Sequence, residues 1–254
     1  MQSTMARRAV IDVAAALAAF LGVGIWLGAT IIPDAGLRYV AIAAGAAVIG
    51  RAAVSILRRE PRFSTPADRV TLLRAVLVAC CATVTVGGLL EGPIPTGLVV
   101  LLGTGAFLLD AVDGRVARLT GTASAEGSLL DTDTDGALVL ALSCATAGTV
   151  GPWTLGIGLM YYLFLAVGRF RPSLKARLPS STARKVIGAI QPSALLFALA
   201  PGVPPVLGTV ALGLALPLLV FSFGRDTVEL ERRHRSLSRD QPARTGQAAA
   251  RGSW

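Results

Sequence analysis

The sequence predicts an all-α fold, a polytopic integral membrane helical bundle of about eight transmembrane helices, and three observations carry that prediction. Hydrophobic residues fill 53% of the 254 positions, and mean hydropathy is +0.65. Charged residues fill only 15%, where a soluble domain carries about 25%. Apolar runs near the ~20 residues that cross a bilayer recur along the chain. One buried soluble helix would explain one such run, not a series.

Taken in order, the predicted spans are Ile11 to Ile32, Leu37 to Leu57, Val70 to Leu90 and Ile94 to Val116, then Ser128 to Val150, Trp153 to Phe170, Val186 to Ala200 and Pro205 to Phe223. The first run is longer than the apolar centre of a signal peptide. Pro33 and Asp34 turn it directly into the second, so a retained hairpin is expected. After Arg225 the composition changes: Asp226 to Arg239 alternates in charge, and Gln241 to Trp254 is rich in Ala, Gly, Arg and Pro. A short surface helix and a disordered tail are expected there.

The connections alternate in charge. Arg7 and Arg8 precede the first span, and Arg58, Arg59, Arg62 and Arg69 separate the second from the third. Arg115 and Arg118 flank the fourth-to-fifth turn. Arg169, Arg171, Lys175, Arg177, Arg184 and Lys185 fill the sixth-to-seventh connection. The intervening turns at Pro33, Gly92, Gly151 and Gly202 are nearly free of Lys and Arg. The positive-inside rule then puts both termini and every basic loop in the cytoplasm, which requires an even number of spans. This distribution also explains the net charge of +9 without nucleic acid, because no basic patch is interleaved with aromatics. Anionic membrane lipids are the expected partners of these charges. Cys80, Cys81 and Cys144 lie in apolar runs without metal-ligand spacing and read as small core residues. His234 reads as solvated.

The chemistry lies in Asp110-Ala-Val-Asp113-Gly114-Arg-Val-Ala117-Arg118, eight residues, then Gly127-Ser-Leu-Leu-Asp131-Thr-Asp-Thr-Asp135. Ionisable groups inside spans are costly and are functional candidates by default. Asp110 and Asp113 share one helix face, as do Asp131 and Asp135. Asp110 is eight residues before Arg118 and Asp135 eight after Gly127. A rise of ~1.5 Å per residue puts both about 12 Å from the turn, at equal depth. Such an oxygen cage suits Mg²⁺ or Mn²⁺. Asp133 points roughly 200° away from Asp131 and is expected to bond another span instead. Gly114 continues the acidic face and leaves room for a close backbone approach. Arg118 lies on the same face, where a guanidinium binds phosphate bidentately. Arg115 reads as a topology charge.

Those residues resemble the signature of the CDP-alcohol phosphotransferase family, D-x2-D-G-x2-A-R-x8-G-x3-D-x3-D, at every specified position. The resemblance covers Ser64 to Phe223, the family's six-span core. It implies a division into an N-terminal hairpin with its basic linker (1–63), the core (64–224) and a charged tail (225–254). Thr65-Pro66-Ala67-Asp68-Arg69-Val70-Thr71 with Arg74 resembles the family's nucleotide-contacting segment, which makes Asp68 and Thr71 substrate-binding candidates. A plainer reading of the same segment is a loop through Pro66 with a helix N-cap at Asp68. Ser124 stands where the family often has a hydroxyl near the nucleotide.

By that resemblance Asp110, Asp113, Asp131 and Asp135 hold two ions, Mg²⁺ or Mn²⁺, on the pyrophosphate of a CDP-linked donor. Asp135 doubles as general base on the acceptor alcohol, and CMP leaves. A metal-bound carboxylate is a weak base, so this role requires light coordination. The membrane setting favours CDP-diacylglycerol as donor. The acceptor is expected to be glycerol phosphate or inositol phosphate, with Lys185 the best-placed acceptor cation, and a homodimer is implied. A divalent-cation or metabolite transporter is the alternative of another class. It would need polar groups along a whole pathway, and the outer halves of these spans are almost wholly apolar. A structural membrane protein has no use for mutually repelling acids.

Overall fold

A computed structural model describes residues 2–59, 63–121, 124–170, 182–222 and 224–225, with no side-chain description at some helical positions, including 117, 118 and 182–187. Its elements are helical: α1 (Gln2–Ile31), α2 (Ala35–Leu57), α3 (Pro66–Glu91), α4 (Thr96–Leu119), α5 (Ala125–Thr149), a 3₁₀ turn (Pro152–Thr154), α6 (Leu155–Phe170), α7 (Thr182–Leu199) and α8 (Pro205–Ser222). Among the described residues there is no strand. Among the described residues five helices, α1 to α4 and α8, are long and apolar enough to cross a membrane. The other three fall short for visible reasons. Helix α5 carries Glu126, Asp131, Asp133 and Asp135, α6 has 16 residues, and in α7 only Gly188–Leu199 is apolar. The predicted all-helical membrane bundle is therefore observed, with membrane-crossing length and composition in five helices.

The centre of the bundle is α3. Over its apolar stretch 72% of residues are buried, against 22% to 33% for the other four, and it packs on α1, α2, α4 and α5. Close approach in lipid needs small residues at the contact. Ala75, Ala79, Cys80, Cys81 and Ala82 supply them from α3, all buried. From α2, Gly45 meets the Ala79 backbone so closely that an added Cβ would lie 2.5 Å from that carbonyl oxygen. Cys80 and Cys81 are thus packing residues, as expected.

Helix ends explain where the observed elements depart from the predicted spans. The N-cap of α3 is Thr65, not Asp68: its hydroxyl accepts from the Asp68 amide at 3.1 Å, and the Asp68 carboxylate accepts from the Thr65 amide at 2.8 Å. This capping box places Pro66 in the first helical turn, where its missing N–H leaves no bond unmade. Helix α3 therefore starts before the expected Val70. Likewise α1 and α7 extend into their polar flanks, because helix propensity does not stop where the apolar run does. The α4–α5 turn is made by Gly121 at φ 64°, a left-handed residue past the helix end, and by Ser124, whose hydroxyl accepts from the Gly127 amide at 3.0 Å. On the opposite side of the bundle, Asp34 caps α2, and its own amide donates to Glu91 at the end of α3 at 2.8 Å. The expected tail helix and the basic residues at 171–181 lie outside the described residues.

Candidate active site

Three helices converge on one group of side chains. Helix α4 brings Asp110 and Asp113 one turn apart, α5 brings Asp131 and Asp135 one turn apart, and α3 brings Thr71 and Arg74. Carboxylate oxygens of Asp110, Asp113 and Asp131 all lie within 4.8 Å of one another. The two acid pairs therefore meet at one level, as their spacing predicts. Asp113 forms the buried floor and accepts from the Thr71 hydroxyl at 3.1 Å. That hydroxyl has one hydrogen and a second acceptor in reach, the Ala67 carbonyl at 3.1 Å, so Thr71 holds Asp113 with a shared bond. Asp110 and Asp131 are partly exposed, and Asp135 is the most open, its side chain 49% exposed.

At the centre sits Arg74, its side chain only 1% exposed. Its Nη1 donates to Asp110 at 2.6 Å and Asp113 at 2.9 Å. Its Nη2 donates to Asp131 at 2.5 Å, and lies 3.3 Å from Asp135. One guanidinium thus touches all four signature acids, a task its planar fork of donors suits. Among these five side chains, three formal negative charges are left unmatched. An all-oxygen, over-acidic and partly open group is a good host for a hard divalent ion. Arg74 engages one oxygen of each carboxylate, and each carboxylate has a second to offer. The residues fit a divalent metal, with Asp110, Asp113 and Asp131 as its nearest holders.

The neighbouring acids have other partners. Asp133 faces the far side of α5, where Arg51 of α2 lies 2.6 Å away and the Tyr161 hydroxyl of α6 donates at 2.9 Å. It is tied to other helices, as its helical position predicts. Asp68 is paired bidentately with Arg59, at 2.7 and 2.9 Å. Both side chains are almost fully buried, at 2% and 3% exposure, and the Arg59 guanidinium lies over the Phe63 ring at 5.1 Å. In this arrangement the Asp68 carboxylate is committed to Arg59 and Thr65. Ser124 serves as a helix cap, and Gly114 sits half-buried on α4. The side chains of Arg118 and Lys185 lie outside the described residues.

Sequence reasoning did not find the partners: Arg74 as the shared counter-ion, Arg59 as a buried pair, Arg51 and Tyr161 as clamps on Asp133. Arg51 had a signal, being a lone charge inside an apolar run. Tyr161 had none. A sequence model of the CDP-alcohol phosphatidyltransferase family matches residues 64–221, more than half of the chain, and contains the whole acid cluster.

The chain belongs to the CDP-alcohol phosphatidyltransferase family.

Curated proteins and solved structures give no match. As a CDP-alcohol phosphatidyltransferase family member the chain is a transferase of phosphate-containing groups in lipid synthesis, acting with a CDP-linked donor and an alcohol acceptor. The family depends on divalent metal, and the group Asp110, Asp113 and Asp131 has the composition and spacing to hold an ion.

Proposed function

We propose that the protein transfers a phosphatidyl group from CDP-diacylglycerol to a small phosphorylated alcohol, of the glycerol phosphate or inositol phosphate kind, and releases CMP. The observation that carries this reading is the convergence of Asp110, Asp113 and Asp131 within 4.8 Å beside a more open Asp135, inside the family-matched region. The donor's two acyl chains suit a site built between apolar helices.

Asp110, Asp113, Asp131 and, more loosely, Asp135 hold two ions, Mg²⁺ or Mn²⁺. When bound, such ions supply positive charge to the donor's pyrophosphate and to the charge that grows on it in the transition state. Thr71 fixes the floor carboxylate, and Arg74 keeps the four acids converged. Gly114, Arg118 and Ser124 line the approach of the cytidine nucleotide, and Asp68 and Thr71, both buried, support it from behind through Arg59 and Asp113. Lys185 meets the acceptor's phosphate. Asp135 stands outside the tightest carboxylate group, which supports its role as base, because a lightly coordinated carboxylate keeps more of its basicity. It takes the acceptor's hydroxyl proton as that oxygen attacks the β-phosphorus. The bond from the β-phosphorus to the bridging oxygen breaks, and the electron pair leaves on CMP. The basic connections support a site and termini on the cytoplasmic side, and the working form is a homodimer.

Purified protein in lipid nanodiscs, given Mn²⁺, CDP-diacylglycerol and a panel of alcohols, tests this. CMP release with one phosphorylated acceptor, abolished by Asp113→Asn, is the expected result. Folded protein that releases no CMP with any acceptor would overturn it.

A further inference from the structure

The family match begins at residue 64, yet two side chains from before it reach acids on both sides of the site. Arg51 of α2 pairs with Asp133 of α5, and Arg59, just past the end of α2, pairs with Asp68 of α3. We propose that the N-terminal hairpin is a working part of the transferase site: Arg51 and Arg59 are positioning residues that set the rotation of α5 and the seating of α3, and so the convergence of the acids. The proposal rests on the reading of Asp110, Asp113, Asp131 and Asp135 as the divalent-ion site.

On α5 the constraint is angular. Asp131, Asp133 and Asp135 alternate around one helix, so a turn of α5 that brought Asp133 inward would carry the other two out. Two donors from two different helices prevent this. Arg51 approaches from α2 at 2.6 Å, and the Tyr161 hydroxyl from α6 at 2.9 Å. The Tyr161 ring also lies against Gly136 so closely that an added Cβ there would be 2.6 Å from its Cε1. Helix α6 is thereby seated next to the last signature acid.

On α3 the pair acts by leverage. Asp68 lies one turn before Thr71 and nearly two before Arg74 on the same helix. Its carboxylate receives both Arg59 nitrogens and the Thr65 amide and hydroxyl. It also lies beside the start of α5, with Asp68 Oδ1 3.9 Å from where a Cβ on Gly127 would stand. Fixing Asp68 fixes the register at which Thr71 meets Asp113 and Arg74 meets all four acids. A third pair, Arg69 with Asp12 of α1 at 3.0 Å, adds an exposed tie between hairpin and core.

Arg51 is the residue to test, because its side chain is 60% exposed and lines a cavity of about 360 Å³ with Ala44, Ala47 and Tyr162. Its truncation removes no packed core. Full-length wild type, Arg51→Gln, Arg51→Lys, Asp133→Asn and the Arg51→Gln/Asp133→Asn double variant are titrated with Mn²⁺ alone and followed by electron paramagnetic resonance. CMP release is measured in parallel. Partners that orient metal ligands typically change affinity or turnover by about 10-fold to 100-fold. We expect Arg51→Gln to weaken Mn²⁺ binding and lower kcat by about tenfold with melting temperature little changed. Lys should restore most of the loss, and the double variant should lose no more than the worse single one. Arg51→Gln that binds Mn²⁺ as wild type does, or losses that add in the double variant, would overturn the proposal. A wild type that releases no CMP but whose Mn²⁺ affinity falls in Arg51→Gln would sink the proposed reaction and leave this inference standing.

Discussion

Among the described residues two arginines are almost fully removed from solvent, and they sit in opposite kinds of surroundings. Arg59 meets one carboxylate, Asp68, in a closed and charge-neutral pair. Arg74 meets four carboxylates, and leaves that group over-acidic and open on one side. A neutral buried pair asks for nothing more, and is the mark of a structural joint. A buried cation that is outnumbered by acids marks a place where further positive charge belongs. The difference in charge balance, rather than burial or bond length, separates the joint from the chemical site.

The comparison can be broken by removing each cation in turn. Breaking a buried pair by deleting one partner costs about 3–5 kcal/mol, and both Arg74→Met and Arg59→Met should show a loss of that order when metal is chelated away. Only Arg74→Met should then be rescued by Mn²⁺, with a larger metal-induced rise in melting temperature than wild type, because the ion replaces the lost charge. Equal rescue of both variants would erase the distinction between joint and chemical site. A smaller effect sharpens it. Replacing a buried pair by apolar residues of similar size is often close to neutral, so Arg59→Met/Asp68→Leu should recover most of the stability. A residual deficit of about 1 kcal/mol should remain, since Asp68 also completes the helix cap. Chemical denaturation in detergent micelles measures it. A double variant as unstable as Arg59→Met alone would mean that Asp68 is not the partner that matters.

Much of the acid cluster was legible in the sequence, because helix periodicity acts within one span. Spacings of three and four grouped Asp110 with Asp113 and Asp131 with Asp135. The spacing of two set Asp133 apart, where Arg51 and Tyr161 now hold it. The meeting of those two pairs was legible as well, because one short turn joins their spans and sets both at the same distance from it. Contacts with spans outside that turn were not: Arg74 lies 36 to 61 positions from the acids it meets, and periodicity alone does not give the rotation at which α3 faces them. Arg59 was indistinguishable from its neighbours Arg58 and Arg62 as a topology charge, and only the packing of Phe63 and Asp68 around it reveals a buried pair. The cap at Thr65 was within reach, since proline in a first helical turn puts the cap just before it. The apparent N-cap at Asp68 was the far half of that capping box.

The proposed chemistry turns on whether the Arg74-centred acids take divalent metal. Equilibrium Mn²⁺ binding to purified, chelator-treated protein tests it directly, comparing wild type with Asp113→Asn at the floor of the cluster and Glu91→Gln at the opposite side of the bundle. Saturable Mn²⁺ binding is expected in wild type and Glu91→Gln, and its loss in Asp113→Asn. Folded Asp113→Asn protein that binds Mn²⁺ as tightly as wild type would contradict it.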